Sequence, residues 1–200
     1  MNKKIILATT SPHRKAAFEM LGIPFEVIGS NVDEYFDGRP DDPAGLVLHL
    51  AKLKAAAVAE KNVGPSMIIG FDSVGWFDGK VLEKPQTIEE AQKRLQDLSG
   101  NSYQFFTGTH IISIDSSGEE KNISRVVKTD IQMREISDDE INWYLKQDHL
   151  HFKTCAQGYD PLGTYGATFI REIHGSYNNP LRGIPLEAIM EMLNELGYRI

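Results

Sequence analysis

Short apolar runs alternate with amphipathic stretches through the first half of the chain. Ile5-Ile6-Leu7 is long enough for a buried strand. Residues 12–21 read as a helix, with Ser11 as N-cap, Pro12 in the first turn and Gly22 as the stop. Residues 25–28 read as a second strand. Asp41-Asp42-Pro43 opens a long helix to about Lys61, and Leu46, Leu50, Leu53 and Ala57 recur at helical spacing as its expected buried stripe. Residues 67–71 read as a buried strand ending at Asp72, followed by a hairpin turn at Asp78-Gly79. Residues 87–98 form an amphipathic helical pattern with Thr87 and Glu90 spaced as a capping box. Two long strand patterns, 103–114 and 123–133, join at Ser116-Ser117-Gly118. A helix over 137–147 with a second capping box (Ser137, Glu140), a strand over 165–173 and a helix over 185–196 complete the reading. Strands alternating with helices, then long hairpin strands, predict an α/β fold: a mixed twisted sheet with flanking helices.

The chain has 200 residues and shows no repeat, low-complexity tract or linker, so one domain over 1–200 is expected. A net charge of −7 argues against a general nucleic-acid binder, whose surface must be basic. No apolar run reaches the length of a membrane span. The opening MNKKIILATTSP starts like a signal peptide, but its apolar part is short and Arg14 follows at once. The single cysteine, Cys155, has no internal partner for a disulfide. Together these features fit a cytoplasmic protein.

Candidate chemistry begins at the first strand–helix junction. Thr9, Thr10 and Ser11 precede a helix start whose free backbone N–H groups attract anions, and Arg14 can pair with phosphate bidentately. Taken alone, the same segment is an ordinary capped helix with solvated basic residues. Asp72, read as the end of an apolar strand, can ligate a divalent metal or take a proton from water; it can equally start a turn. Asp33 and Glu34 are adjacent, so on regular structure they point apart, and one can reach a site while the other caps or is solvated. Lys54 on the long helix also suits a solvated face, and Lys84 before Pro85 suits a loop phosphate ligand. There is no GxxxxGK[ST], GxGxxG, CxxC or GxSxG motif. His149 and His151 stand near Cys155 without a zinc-binding spacing.

The ordered set LATTSPHR, NVDE, AKLKA, IIGFDSV, DGKVLEKP and LSG…FTG, with GSYNNPLRGIPLEAIMEML near the end, resembles the Maf family of nucleoside triphosphate pyrophosphatases. The resemblance runs over almost the whole chain. It implies an elongated α/β body with a central cleft, like the inosine triphosphatases. It implies hydrolysis between the α- and β-phosphates of a nucleoside triphosphate, giving a monophosphate and pyrophosphate, with a divalent metal (Mg, Mn or Co) and a role in clearing non-canonical or modified nucleotides. Position by position, it assigns Ser11 and Arg14 to a phosphate clamp, Lys54 and Lys84 to the substrate, Asp72 to catalysis, and Asp72 with Glu34 to the metal. A homodimer is compatible with it.

Three departures stand out. His13 occupies the place of an arginine or tryptophan beside the ligand, and Ser73 replaces a threonine. The segment 152–163 matches poorly: Lys153 aligns with a substrate lysine, while Gln157 and Asp160 both compete for the place of a glutamine. Two rivals remain at this level. A phosphomonoesterase using Asp72 as nucleophile would want a second aspartate two residues on, where Val74 stands. A regulatory nucleotide-binding protein of cell-division control would have weak or no hydrolysis.

Overall fold

The pattern of the N-terminal third is realised closely in the computed structural model, which describes residues 3–147, 151–162 and 164–200. Strand β1 (Lys4–Ala8) buries Ile5 to Ala8. Helix α1 (Pro12–Glu19) starts on Ser11, whose Oγ accepts from the Arg14 N–H, and the chain turns away at Gly22 with φ +65°. Strand β2 (Phe25–Val27) follows. Helix α2 (Pro43–Ala59) is capped by Asp42, whose carboxylate accepts from the Gly45 N–H at 2.6 Å. Strands β3 (Ser66–Phe77) and β4 (Lys80–Leu82) form a hairpin through Asp78 and Gly79, both at positive φ as a type I′ turn requires. Then come α3 (Ile88–Leu98), β5 (Ser102–Ile114), β6 (Glu120–Met133), α4 (Asp138–Gln147), β7 (Ile170–His174), α5 (Asn178–Arg182) and α6 (Leu186–Glu195). The seven strands belong to one mixed sheet in the order β2-β1-β3-β5-β6-β7, with β4 on β3. β1 is parallel to β2 and β3, whereas β4 and β7 pair antiparallel with their neighbours.

The chain divides into two compact units. The first contains the residues up to Ser73, 107–127 and 182–200. Its apolar core lies on both faces of β1 and β3. Ile5, Leu7, Met67, Ile69 and Phe71 pack with Phe18 of α1 and Ile189 and Met192 of α6. Ile6, Ala8 and Ile68 pack with Ala55 and Val58 of α2. The second unit, 74–106 and 128–181, packs Ala91, Leu95 and Leu98 of α3 and Ile141, Tyr144 and Leu145 of α4 with Tyr103, Phe105, Ile131 and Met133 of the sheet. Within that core the Tyr103 and Tyr159 hydroxyls meet at 2.9 Å, which satisfies two polar groups that burial would otherwise penalise.

Several details differ from the sequence reading. The buried stripe of α2 is Leu46, Val47, Leu50, Ala51, Lys54, Ala55 and Val58, whereas Leu53 is 36% exposed. The helix is apolar on most sides, so spacing alone does not choose the inner face; glycines on the sheet do. A Cβ on Gly70 would stand 2.1 Å from the Ala51 carbonyl oxygen, and one on Gly108 2.3 Å from that of Val47. The α2 backbone therefore lies directly on β3 and β5. Strand β3 does not end at Asp72; it runs on to Phe77, because Val74 and Trp76 continue the strand pattern and β4 pairs with Gly75 to Phe77. The segment expected as a strand from 165 begins instead as a 3-10 turn (Tyr165–Thr168), since the Thr164 hydroxyl accepts from the Gly166 N–H and nucleates a turn. Each expected capping box closes by half: the Thr87 and Ser137 hydroxyls accept from the Glu90 and Glu140 N–H groups, but the Glu90 carboxylate accepts from the Gln86 N–H and Glu140 pairs with Arg134. The short α5 has no counterpart in the sequence reading.

Gly70→Ala should lower stability by about 3 kcal/mol, because α2 lies backbone-on on the strand and can move aside only by opening its packing on Ile6, Ala8 and Ile68. Urea unfolding measures this; a loss below about 1 kcal/mol, the low end for overpacking, would show that α2 tolerates displacement.

Candidate active site

Asp72 occupies the interior of β3, on the face that meets α2. Alternation along the strand puts Gly70 and Asp72 on that face and Phe71 and Ser73 on the other. The bare Gly70 lets α2 approach, and one turn beyond Ala51 the helix delivers Lys54 to the carboxylate. Lys54 Nζ lies 2.6 Å from Asp72 Oδ1 and 2.6 Å from Glu34 Oε1. Asp72 and Lys54 are buried, 6% and 8% exposed, while Glu34 is about half exposed. Glu34 comes from the polar turn before α2, where Asp33 takes the local role: its carboxylate accepts from the Tyr35 N–H at 2.9 Å. One ammonium thus holds two carboxylates from distant parts of the chain. Burial pushes the Asp72 carboxyl above the ordinary aspartate range; Lys54 and Arg14 pull it down, and the Glu34 carboxylate pushes it up further.

The opposite face of the same strand segment is held by Arg14. Its Nε donates to the Gly183 carbonyl at 3.2 Å, Nη1 to the Phe71 carbonyl at 3.1 Å and Nη2 to Ser73 Oγ at 2.9 Å. β1 pairs with β3 only as far as Ala8 opposite Gly70, then leaves to start α1. Arg14 therefore supplies a donor to the strand where its neighbour has departed. These three bonds leave two of the five guanidinium N–H groups. Burial lowers the Arg14 pKa, Asp72 and Glu34 oppose the shift, and the group stays protonated. Ser73 Oγ also lies 2.8 Å from Thr107 Oγ1 and 3.2 Å from the Gly183 carbonyl.

Among the residues expected at a site, Ser11, Arg14, Glu34, Lys54 and Asp72 all lie in the first unit, joined through α1, α2 and β3. Ser11 acts as the α1 cap, and His13 stands exposed in the first turn of that helix. Lys84 and Lys153 belong to the second unit, and both are exposed. Lys84 lies between β4 and α3, and its carbonyl accepts from Gln86 Nε2. Lys153 Nζ rests 5.9 Å from the Phe152 ring centre. Of the two alternatives near it, Gln157 is buried, while Asp160 is half-buried and its carboxylate accepts from the Leu162 N–H. His149 lies outside the described residues. The parts of the site that sequence reasoning did not single out are the backbone carbonyls of Phe71 and Gly183 and the Thr107 hydroxyl. Carbonyls carry no side-chain signal; Thr107 stood within the FTG motif but offered nothing to separate it from other strand threonines.

Among the described residues, no group of three or more His, Cys, Asp or Glu side chains could hold a metal ion. The available donor set is the carboxylate pair Asp72 and Glu34. That set fits a hard divalent cation, which is commonly held by one or two carboxylates and takes its remaining ligands from water and phosphate oxygens.

The family model described as Maf-like protein matches residues 4–196, and the chain belongs to that family. It is 33% identical over 203 residues to a dTTP/UTP pyrophosphatase of Bacillus cereus (strain G9842), covering 99% of this chain and 98% of the relative. A dTTP/UTP pyrophosphatase of Bacillus anthracis is 32% identical over the same extent. In fold, the chain is similar to the Staphylococcus aureus Ham1 protein, with a TM-score of 0.51 at 15% identity, covering 97% of this chain and all of that one. A HAM1 protein from Coxiella burnetii gives 0.50 at 17% identity.

Lys54→Met should destabilise the protein by about 3 kcal/mol at neutral pH, since it leaves the Asp72 carboxylate buried without its counter-charge. The sign of the pH effect follows from a folded-state pKa that is raised. Asp72's favourable contribution is complete below the unfolded carboxylate value of about 3.9 and is lost as pH rises through the folded value. The variant should therefore recover toward wild type as pH falls and Asp72 takes a proton. Urea unfolding across a pH series measures it; a penalty independent of pH would remove Asp72 as its source.

Proposed function

We propose that the chain is a nucleoside triphosphate pyrophosphatase that cleaves between the α- and β-phosphates. The observation that carries this reading is the buried Lys54–Asp72 pair between α2 and β3, joined by the half-exposed Glu34, in a chain that matches the Maf family over residues 4–196. Asp72 takes a proton from water as that water attacks the α-phosphorus; the new P–O bond forms as the bond to the bridging oxygen breaks, giving nucleoside monophosphate and pyrophosphate. A carboxylate raised by burial is a stronger base than a solvated one, and the Lys54 ammonium fixes its orientation. Lys54 and the two remaining Arg14 N–H groups offset charge as it moves toward the leaving group. A divalent metal held by Asp72 and Glu34 would supply further charge neutralisation at the phosphates. At the start of α1 the N–H groups of Ser11, Arg14 and Lys15 are bonded to Thr9 Oγ1, Ser11 Oγ and the Ser11 carbonyl, and Pro12 has none, so the His13 N–H is the one that suits a phosphate oxygen. Lys84, Lys153 and His13 are proposed as further substrate contacts on the resemblance alone.

The relatives' specificity makes dTTP and UTP the first substrates to test, followed by base-modified triphosphates, which would bring in a role in clearing damaged nucleotides. Magnesium, manganese and cobalt are the metals to compare. No helix among the described residues is long and apolar enough to cross a membrane.

The deciding experiment is a panel of canonical and modified triphosphates with each metal, scored for pyrophosphate against orthophosphate. Pyrophosphate with a monophosphate supports the reading, and orthophosphate alone overturns it. Asp72→Asn keeps the shape but removes the base, and kcat should drop by about 10²-fold or more. Near-normal kcat in that variant would take the catalytic role away from Asp72.

A further inference from the structure

We propose that Thr107 is a positioning residue for this reaction: its buried hydroxyl fixes the proton of Ser73, and through Ser73 it sets the guanidinium of Arg14 under the strand that carries Asp72. The inference rests on the pyrophosphatase reading given above and goes beyond it in assigning a residue that touches neither phosphate nor metal.

The argument is one of donors and acceptors. Thr107 lies on β5 with no measurable exposure, and its Oγ1 is 2.8 Å from Ser73 Oγ. A hydroxyl has one proton to give and two lone pairs to receive. Arg14 Nη2 can only donate, so Ser73 Oγ accepts from it at 2.9 Å. The Gly183 carbonyl can only accept, and Ser73 Oγ lies 3.2 Å from it. Every group is satisfied when Ser73 gives its proton to Gly183 and receives one from Thr107. Ser73 then makes three bonds, and its lone pair toward Arg14 has one fixed direction. If Thr107 lacked its hydroxyl, Ser73 would be free to rotate, and the hold on Arg14 Nη2 would slacken.

That hold matters because Arg14 grips both neighbours of Asp72 in sequence, the Phe71 carbonyl and the Ser73 side chain. Those two bonds bracket the Asp72 backbone on both sides along the strand. Loosening them lets the strand segment rock and misplaces the carboxylate, and a misplaced reacting group is costly. The effect should appear in kcat more than in KM, as expected for geometry needed at the transition state.

The test compares Thr107→Val, which keeps the shape, with Thr107→Ser, which keeps the hydroxyl, on the full-length protein. Steady-state pyrophosphate release from dTTP and UTP is measured beside the 15Nε–1Hε signal of Arg14, assigned through Arg14→Lys. Thr107→Val should lose about 10-fold in kcat, the loss of one net hydrogen bond, with KM within about 3-fold and faster solvent exchange of the Arg14 Nε–H. Thr107→Ser should restore both to near wild type. If Thr107→Val does not fold, Thr107→Ala and Thr107→Ser serve instead, since both lack the methyl and only one keeps the oxygen. Wild-type kcat and exchange in Thr107→Val would overturn the proposal, as would equal impairment in Thr107→Ser, which would make the methyl packing the cause. If the wild-type protein releases no pyrophosphate at all, it is the functional reading that fails, and the Arg14 signal still decides whether Thr107 holds the guanidinium.

Discussion

Everything at this site depends on one ammonium placed out of water. A lysine so deeply buried is unfavourable unless its charge is met, and Lys54 is met twice, by Asp72 and by Glu34. The arrangement needs a helix lying on the sheet at backbone distance, which is why Gly70 and Gly108 face α2 with no side chain. It also needs a turn before that helix short enough to bring Glu34 back over it. Three parts of the chain are thus tied to one nitrogen, and the group they form carries a net negative charge into which a cationic or proton-bearing partner fits.

The two faces of β3 divide the work. One presents the carboxylate to Lys54; the other buries Phe71 and turns Ser73 to Arg14, which also donates to the Phe71 carbonyl. The division follows from a strand's period of two, and it lets one short stretch serve the core, the backbone scaffold and the chemistry at once. The early departure of β1 makes room for the guanidinium, so the start of α1 and the bracing of the strand that carries Asp72 are set by the same event.

Much of this was legible in the sequence. Ser11, Pro12 and Gly22 marked α1 because caps and positive-φ stops are local, and Asp78-Gly79 marked its hairpin for the same reason. The mixed sheet followed from apolar runs alternating with helical periods. Tertiary contacts decided what was missed. Lys54 could be read as solvated because nothing in the spacing of a mostly apolar helix tells which side a glycine on another strand will admit. Glu90 and Glu140 had the spacing of capping boxes, but Gln86 and Arg134 offered better partners. The 3-10 turn at Tyr165 was hidden because β-forming aromatics follow Thr164, whose hydroxyl wins the competition for the Gly166 N–H.

The outer strands have a consequence for how the molecule behaves in a crowded solution. β2 is only three residues long, and its central Glu26 is engaged by Lys4 at 2.7 Å. β7, at the far end of the strand order, carries Arg171, Glu172 and His174 in five residues. An unpaired strand edge is a template on which another chain can lay itself down. Brevity at one end and charge at the other make both poor templates, so a sheet this rich in isoleucine and phenylalanine resists growing by edge-to-edge addition.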